Sequence, residues 1–290
     1  MVQPGPSFQK IAVAAHPQLP EAIRLSAQIA HVLEQQGITV IHGLLYDENL
    51  KQFISDRQVD LLIALGGDGT MLRAGHLCGP VGIPILGINV GRFGFLMEIP
   101  HNQWREMLPH LLAGEFWLEK RMMLSADHWR AGERLGSWEV LNEVVVSRGQ
   151  YVRPVRLAAH VDGRYLATYV ADALIAATAT GSTAYSLAAG GPILPPELRT
   201  ILLVAVAPHL SVDRAIVLPE GASVSILVHT DQQAVLSPDG QPPVLLAEGD
   251  RVEVCASEHT VQFVRFQDPG YFYRNLIPHM NRNPSTGEHR

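Results

Sequence analysis

Leu61-Leu62-Ile63-Ala64-Leu65-Gly66-Gly67-Asp68-Gly69-Thr70 carries more information than any other stretch of the chain. Five apolar residues read as a buried strand, and they stop at Gly-Gly-Asp-Gly-Thr. Met71, Leu72, Ala74 and Leu77 then follow a helical pattern. A strand that feeds a glycine-rich turn and a helix start is a place to hold phosphate. Glycine lets the backbone approach closely, and the N–H groups of the helix start face the anion. An aspartate in such a turn would repel phosphate unless it binds a metal or takes a proton. That tension predicts phosphoryl transfer. The ordinary alternative is a tight turn in which Asp68 or Thr70 caps the helix.

The loop has no Gly-Lys-Ser/Thr ending and no G-x-G-x-x-G spacing. No lysine sits in the turn, so a divalent cation would have to carry much of the phosphate charge. The chain has 290 residues, enough for two domains. Hydrophobic content of 47% and charged content of 17% fit a globular protein rather than a disordered one. A net charge of −6 without a Lys/Arg cluster argues against nucleic acid as a partner. Cys78 and Cys255 alone give neither a disulfide framework nor a cysteine zinc site. The N-terminal residues lack a signal-peptide pattern and no run is long enough to span a membrane, so the expectation is a cytoplasmic protein with no membrane partner.

Outward from the loop, the first third alternates strands and helices: a strand at Lys10–Ala15, a helix at Glu21–Gln36 closed by Gly37, strands at 38–42, 61–65 and 84–89, and helices near 49–57 and 102–113. This predicts a parallel sheet covered on both faces. After Glu115 short β-like runs dominate, among them 122–128, 138–147, 155–161, 164–170, 173–178, 201–207 and 251–257. Asp162-Gly163 and Asp239-Gly240 read as hairpin turns. The expected fold class is α/β plus all-β: a Rossmann-like parallel α/β domain over residues 1–118, an antiparallel β-sandwich-like domain over 119–265, and a tail over 266–290 that packs back on the first domain. The polar residues Asn283 to Arg290 are expected to fray.

A second constellation lies at residues 172–192. A strand ends in Thr180-Gly181-Ser182-Thr183, and a short helix begins with Ala184-Tyr185. The hydroxyls can bind a ligand or cap a helix, and the Tyr185 ring can lie against a base. Gly66–Thr70, Leu141-Asn142-Glu143 and Thr180–Tyr185 together resemble the NAD kinase family. Asn89-Val90-Gly91 through Gly94-Phe95-Leu96, Pro208-His209 and Asp239-Gly240-Gln241 match its pattern in order, so the resemblance spans roughly residues 10 to 280.

The resemblance implies phosphorylation of the 2′-hydroxyl of the adenosine ribose of NAD, giving NADP. It points to Asp68 as the catalytic base, accepting the proton as the bond to phosphorus forms. Gly66, Gly67, Gly69, Thr70 and Arg73, with Mg²⁺ as the divalent metal cation, would hold the donor phosphates of ATP or polyphosphate. Asn142 and Glu143 would hold the dinucleotide, whose ribose diols suit a carboxylate acceptor. Gly69, Phe95, Asp172, Thr183, Ala184, Tyr185 and His209 complete the implied acceptor set, with Asp213 a lesser candidate. The metal ligands stay unassigned, and a homodimer or homotetramer is implied. The chain departs from the family pattern at Ala173, Ala177, Ala179 and Ala188, where Gly, Ser, Pro and Ser are common. The nearest alternative is a lipid kinase of the diacylglycerol or sphingosine type, which shares the glycine loop but not Thr-Gly-Ser-Thr-Ala-Tyr. A 6-phosphofructokinase and a nucleotide sensor without turnover are more distant readings.

Overall fold

The computed structural model describes residues 7–91, 94–150, 153–209, 213–230 and 233–281. Arg92 and Phe93 of the glycine-flanked motif, and the polar stretch 283–290, lie outside the described residues. The chain divides into two compact units, one taking residues up to Lys120 and from Val261 onward, the other Arg121–Thr260.

The first unit is the α/β part. Lys10–Ala15 pairs in parallel with Thr39–Leu44 on one side and Leu61–Gly66 on the other, and Leu61–Gly66 pairs in parallel with Ile85–Asn89. Every residue of Leu61–Gly66 is buried, as a central parallel strand requires. Ile11, Val13 and Ala15 pack in one core with Ile29 and Leu33 of helix Pro20–Gln35 and with Trp104 and Leu108 of helix Trp104–Leu112. A Cβ at Gly87 would touch Met71, so helix Asp68–Cys78 lies tight against the strand beside it. Pro20 occupies the first turn of its helix, and Gly37 follows the helix end at φ +81°, the left-handed cap that glycine favours. The helix Tyr271–Asn281 belongs to this unit.

The spatial strand order matters for function. The chain moves outward from Lys10–Ala15 to one side, then crosses back to the other. In open parallel sheets of this kind the carboxyl ends of the two strands flanking that reversal diverge and leave a crevice. Here those ends are His16 and the Gly66–Thr70 loop.

The second unit is built of antiparallel strands. One sheet, among the described residues, has the order Ile216–Pro219, Thr200–Val206, Ala173–Ala177, Glu143–Arg148, Ala234–Pro238, Val244–Leu246. Opposite it, Val224–Val228 pairs with Val155–Val161 and with the start of Arg251–Arg265. Val144, Val146, Leu174, Leu203 and Leu236 of the first sheet share one core with Leu157, Ile226, Val252 and Val254 of the second, a sandwich arrangement. Asp162-Gly163 joins Val155–Val161 to Arg164–Ala171 as a two-residue hairpin turn with positive φ at both residues, and Asp239-Gly240, also at positive φ, opens the longer connection from Pro238 to Val244.

One run departs from expectation. Residues 138–147 read as a single strand, but the structure breaks it into Glu133–Val140 and Glu143–Arg148. The cause is Asp239, whose carboxylate accepts the N–H groups of Leu141, Asn142 and Glu143 at 2.7, 2.8 and 2.9 Å. Those amides leave the ladder, and the chain passes from pairing with Trp117–Arg130 to pairing with Ala173–Ala177.

A charge cluster in which Asp250 and His128 are buried and Arg130 is exposed ties strands of the second unit together. Arg130 donates to both oxygens of Asp250 at 2.8 Å, and His128 Nε2 lies 2.8 Å from Asp250 Oδ2. Burial opposes ionisation of Asp250, but Arg130, the Ala247 amide and His128 outweigh it and hold the carboxyl down to about 2. A depressed folded value means the stabilisation is present above the unfolded value near 4 and is lost as pH falls toward about 2. Asp250→Asn should therefore cost about 3 kcal/mol at pH 7. Denaturant melts at pH 7 and pH 3 check this, and the difference from the parent protein should shrink at the lower pH.

Candidate active site

The glycine turn closes the strand and opens the helix with Gly67, not Asp68 or Thr70, at the N-cap. Thr70 is buried, and its Oγ1 accepts the Gly67 N–H at 3.3 Å. Gly66 is a glycine for steric reasons: a Cβ there would overlap the Thr70 hydroxyl. Gly67 and Gly69 have open space where a Cβ would be, so their backbone lies open to an incoming group.

Asp68 stands in the first helical turn, where a negative charge is favoured by the helix dipole. Its carboxylate crosses to the neighbouring loop. Oδ2 accepts the Phe95 N–H at 2.8 Å and Oδ1 accepts the Leu96 N–H at 3.0 Å. A Cβ at Gly94 would fall on that carboxylate, so the loop approaches this closely because position 94 is glycine. The structure thus brings Asp68, Gly69, Thr70 and Phe95 to one place.

A cleft of about 570 Å³ opens over this turn, lined by His16, Gly67, Asp68, Thr70, Val90 and Gly91 among others. It lies at the strand ends named above. His16 was not singled out from the sequence. Its Nδ1 accepts the Gln18 N–H at 3.2 Å, and burial, then the charge of Arg73, lowers its pKa. Its ring meets Tyr46 edge-on, and the exposed Arg73 guanidinium lies 5.1 Å from the centre of the Tyr46 ring. The signal that could have found His16 is its place directly after the first strand, across the reversal from the glycine loop.

In the second unit, Asn142 and Glu143 sit where the broken strand changes sheets. The Asn142 carbonyl accepts the Thr178 N–H at 2.9 Å, and a Cβ at Gly181 would overlap the Asn142 backbone. The Tyr185 amide lies near the Glu143 carboxyl and pulls its pKa down. Asn142, Glu143, Thr183, Ala184 and Tyr185 therefore gather at one end of the sheet. Thr180–Thr183 forms a single turn of 3-10 helix, and Tyr185–Ala188 a short α-helix. The hydroxyls of this motif are largely spent internally. Thr180 accepts from Arg121 at 3.0 Å, Ser182 donates to the Ala179 carbonyl at 2.7 Å, and Thr183 donates to the Thr180 carbonyl at 3.2 Å. Tyr185 remains 43% exposed, which leaves its ring face available.

Glu143 is the anomalous group. It is buried, and Oε2 has no hydrogen-bond partner among the described residues. Burial, then the negative charge of Asp239, pushes its pKa up to about 8, against the pull of the Tyr185 amide. A carboxyl kept neutral near pH 7 can both donate and accept a hydrogen bond.

Asp172 and His209 are not part of that group. Asp172 precedes the Ala173–Ala177 strand and pairs with Arg148 at 3.0 Å, while Thr178 follows the strand's other end. At about 3.3 Å per residue the two ends stand roughly 20 Å apart. His209 donates its N–H to Val170 at 2.7 Å, at the Asp172 end. Asp213 is exposed beside Arg214. Among the described residues no cluster of three or more His, Cys, Asp or Glu side chains could hold a metal ion. Among the described residues, Asp68 is the one carboxylate on the cleft wall.

Comparison with known proteins gives a consistent result. The ATP-NAD kinase N-terminal domain family matches residues 11–116, and the ATP-NAD kinase C-terminal domain family matches 141–266. An NAD kinase of Chloroflexus aggregans is 38% identical over 277 residues, 95% of this chain and 100% of that protein. One from Chloroflexus aurantiacus is 37% identical over the same span. Among solved structures, an NAD kinase from Archaeoglobus fulgidus in complex with ATP aligns with a TM-score of 0.76 at 25% identity, covering 94% of this chain and 99% of that one. The yeast NADH kinase complexed with NADH shares the fold, with a TM-score of 0.84 at 23% identity over 98% and 90% of the two chains. Two family models that together take in the glycine loop, the Asn142-Glu143 turn and the Thr180–Tyr185 motif leave one assignment: the chain belongs to the NAD kinase family.

Proposed function

We propose that this kinase transfers the terminal phosphoryl group of ATP to the 2′-hydroxyl of the adenosine ribose of NAD, giving NADP, with Asp68 as proton acceptor. The observation that carries the reading is the Asp68 carboxylate, fixed by two backbone amides on the wall of the cleft over the glycine turn. The ribose oxygen forms its bond to the terminal phosphorus, the bond from that phosphorus to the bridging oxygen of ATP breaks, and ADP leaves. The hydroxyl proton passes to Asp68 late, as the new bond develops, which suits a carboxylate. The open backbone at Gly67 and Gly69 supports their role as donor-phosphate contacts, and Arg73 adds positive charge near the rim.

A magnesium ion suits this wall as one carried mainly by the donor's phosphate oxygens, with Asp68 as its available protein carboxylate. When bound it would neutralise charge on those phosphates. In the second unit, Glu143 can donate to one hydroxyl of a ribose diol and accept from the other, with Asn142 beside it. Tyr185 offers its exposed ring to the adenosine half, and Thr183 and Ala184 flank it. Asp172 and His209, at the far end of the strand, fit the acceptor set less well. None of the matched families or relatives described above is a lipid kinase. Among the described residues no helix is long and apolar enough to cross a membrane. A cytoplasmic homodimer or homotetramer completes the proposal.

Purified protein with ATP, Mg²⁺ and NAD should make NADP, read by coupling to an NADP-specific dehydrogenase; no product at high enzyme concentration would sink the reading. Asp68→Asn keeps one acceptor oxygen for the Phe95–Leu96 amides but cannot take the proton. It should lower kcat by about 10²–10⁴-fold with much smaller changes in KM. Full activity in that variant would remove Asp68 from the chemistry. Glu143 titrates near 4.3 in the unfolded chain and at about 8 in the folded one, so the folded state holds the extra proton between those values. Its contribution to stability therefore falls as pH rises through that window. Glu143→Gln should gain stability relative to the parent protein from pH 5 to pH 8, in thermal melts across that range. A constant difference would show Glu143 to be ionised throughout.

A further inference from the structure

Arg265 is fully buried and is the largest such side chain among the described residues. Its Nε–H donates to Glu119 Oε2 at 2.9 Å, and Nη1 donates to Glu98 Oε2 at 3.0 Å. Glu98 Oε1 in turn accepts the Phe266 and Gln267 amides at 2.8 and 3.3 Å, and the Tyr271 hydroxyl donates to Glu119 at 2.9 Å. Two buried carboxylates around one guanidinium are a weak device for stability alone, since apolar residues of similar volume often do as well. They are a strong device for fixing the guanidinium in one orientation.

That orientation reaches one further group. Arg265 Nη1 also donates to the Leu96 carbonyl at 3.1 Å. Leu96 is the residue whose N–H holds Asp68 Oδ1, and its neighbour Phe95 holds Oδ2. A backbone residue pinned at its carbonyl has its amide direction restricted too. Gly94, on the other side, gives the room for this close approach.

We propose that Arg265 is a positioning residue for Asp68: by holding the Leu96 carbonyl it keeps the Phe95 and Leu96 amides aimed at the Asp68 carboxylate. The inference rests on Asp68 being the proton acceptor. Nothing in the glycine motif itself reports this connection, which runs from a residue nearly two hundred positions away.

Arg265→Lys keeps the charge but not the planar fork. It should lower kcat by about 10–100-fold, as small misplacements of reacting groups do, with KM for NAD and ATP nearly constant. Trp117→Phe is the control. It removes the Trp117 hydrogen bond to the Gln267 carbonyl in the same region without touching Arg265, and should leave kcat unchanged. Hydrogen exchange at the Phe95 and Leu96 amides, followed by NMR on the folded proteins, should be about tenfold faster in Arg265→Lys and unchanged in the control. Equal kcat losses in the two variants, or unchanged exchange in Arg265→Lys, would overturn the proposal. If Arg265→Lys does not fold, Glu98→Gln replaces it. Its oxygen stays with the two backbone amides, so its NH₂ group faces Nη1 and should disturb the Leu96 contact, with the same two readouts and the same overturning result. A parent protein that makes no NADP would refute the kinase reading, while the exchange rates still decide whether Arg265 positions the loop.

Discussion

In each unit, a carboxylate that accepts consecutive backbone N–H groups organises the candidate residues. Asp68 does so for Phe95 and Leu96, and Asp239 for Leu141, Asn142 and Glu143. In both places the chain turns where it would otherwise continue an extended path, and the turn delivers the residues of interest. Hydrogen bonds to a charged acceptor are roughly twice as strong as neutral ones, so these turns have a defined geometry without regular structure around them. Asp60 repeats the arrangement with Gln9 and Lys10 at the start of the first strand. The constraint has a second side: an acceptor that reaches across to another loop needs that loop to come close, and Gly94 is a glycine where its loop meets the Asp68 carboxylate.

Much of this was legible in the sequence. Alternation of apolar strands with helical patterns revealed the parallel unit, and the move to short runs with Asp-Gly turns revealed the antiparallel one. The strand-glycine-helix junction at residues 61–70 is a local signal, carried by residues adjacent in the chain, and it survives in the structure almost unchanged. The break in the 138–147 run was not legible, because its cause is a side chain nearly a hundred positions away. Asp239 read as an ordinary turn residue, and that is also what it is; its second role is tertiary. The same holds for Arg265, which looks like any charged residue near the end of a β run. His16 stood in a middle case, since a strand order was needed before its position could mean anything. The second-unit residues also illustrate the limit. Asp172 and Thr183 lie in one continuous motif, yet a five-residue strand between them sends them to opposite ends of the sheet.

The two carboxyl groups sit in different surroundings. Asp68 accepts two backbone amides, whereas Glu143 is buried beside the carboxylate of Asp239 and is kept neutral near pH 7.

The first unit is discontinuous in sequence, and this bears on how the chain is made. Glu98 and Glu119 are synthesised well before Arg265, with the entire segment Arg121–Thr260 in between. At roughly 5–20 residues per second, the two carboxylates wait on the order of ten seconds for their cation. During that interval the α/β strands can pair, but the carbonyl of Leu96 has no anchor. The glycine loop and its aspartate can therefore form early, while the geometry that Arg265 imposes arrives only after the second unit has been translated, so a ribosome-bound fragment would carry the sequence motif without its final alignment.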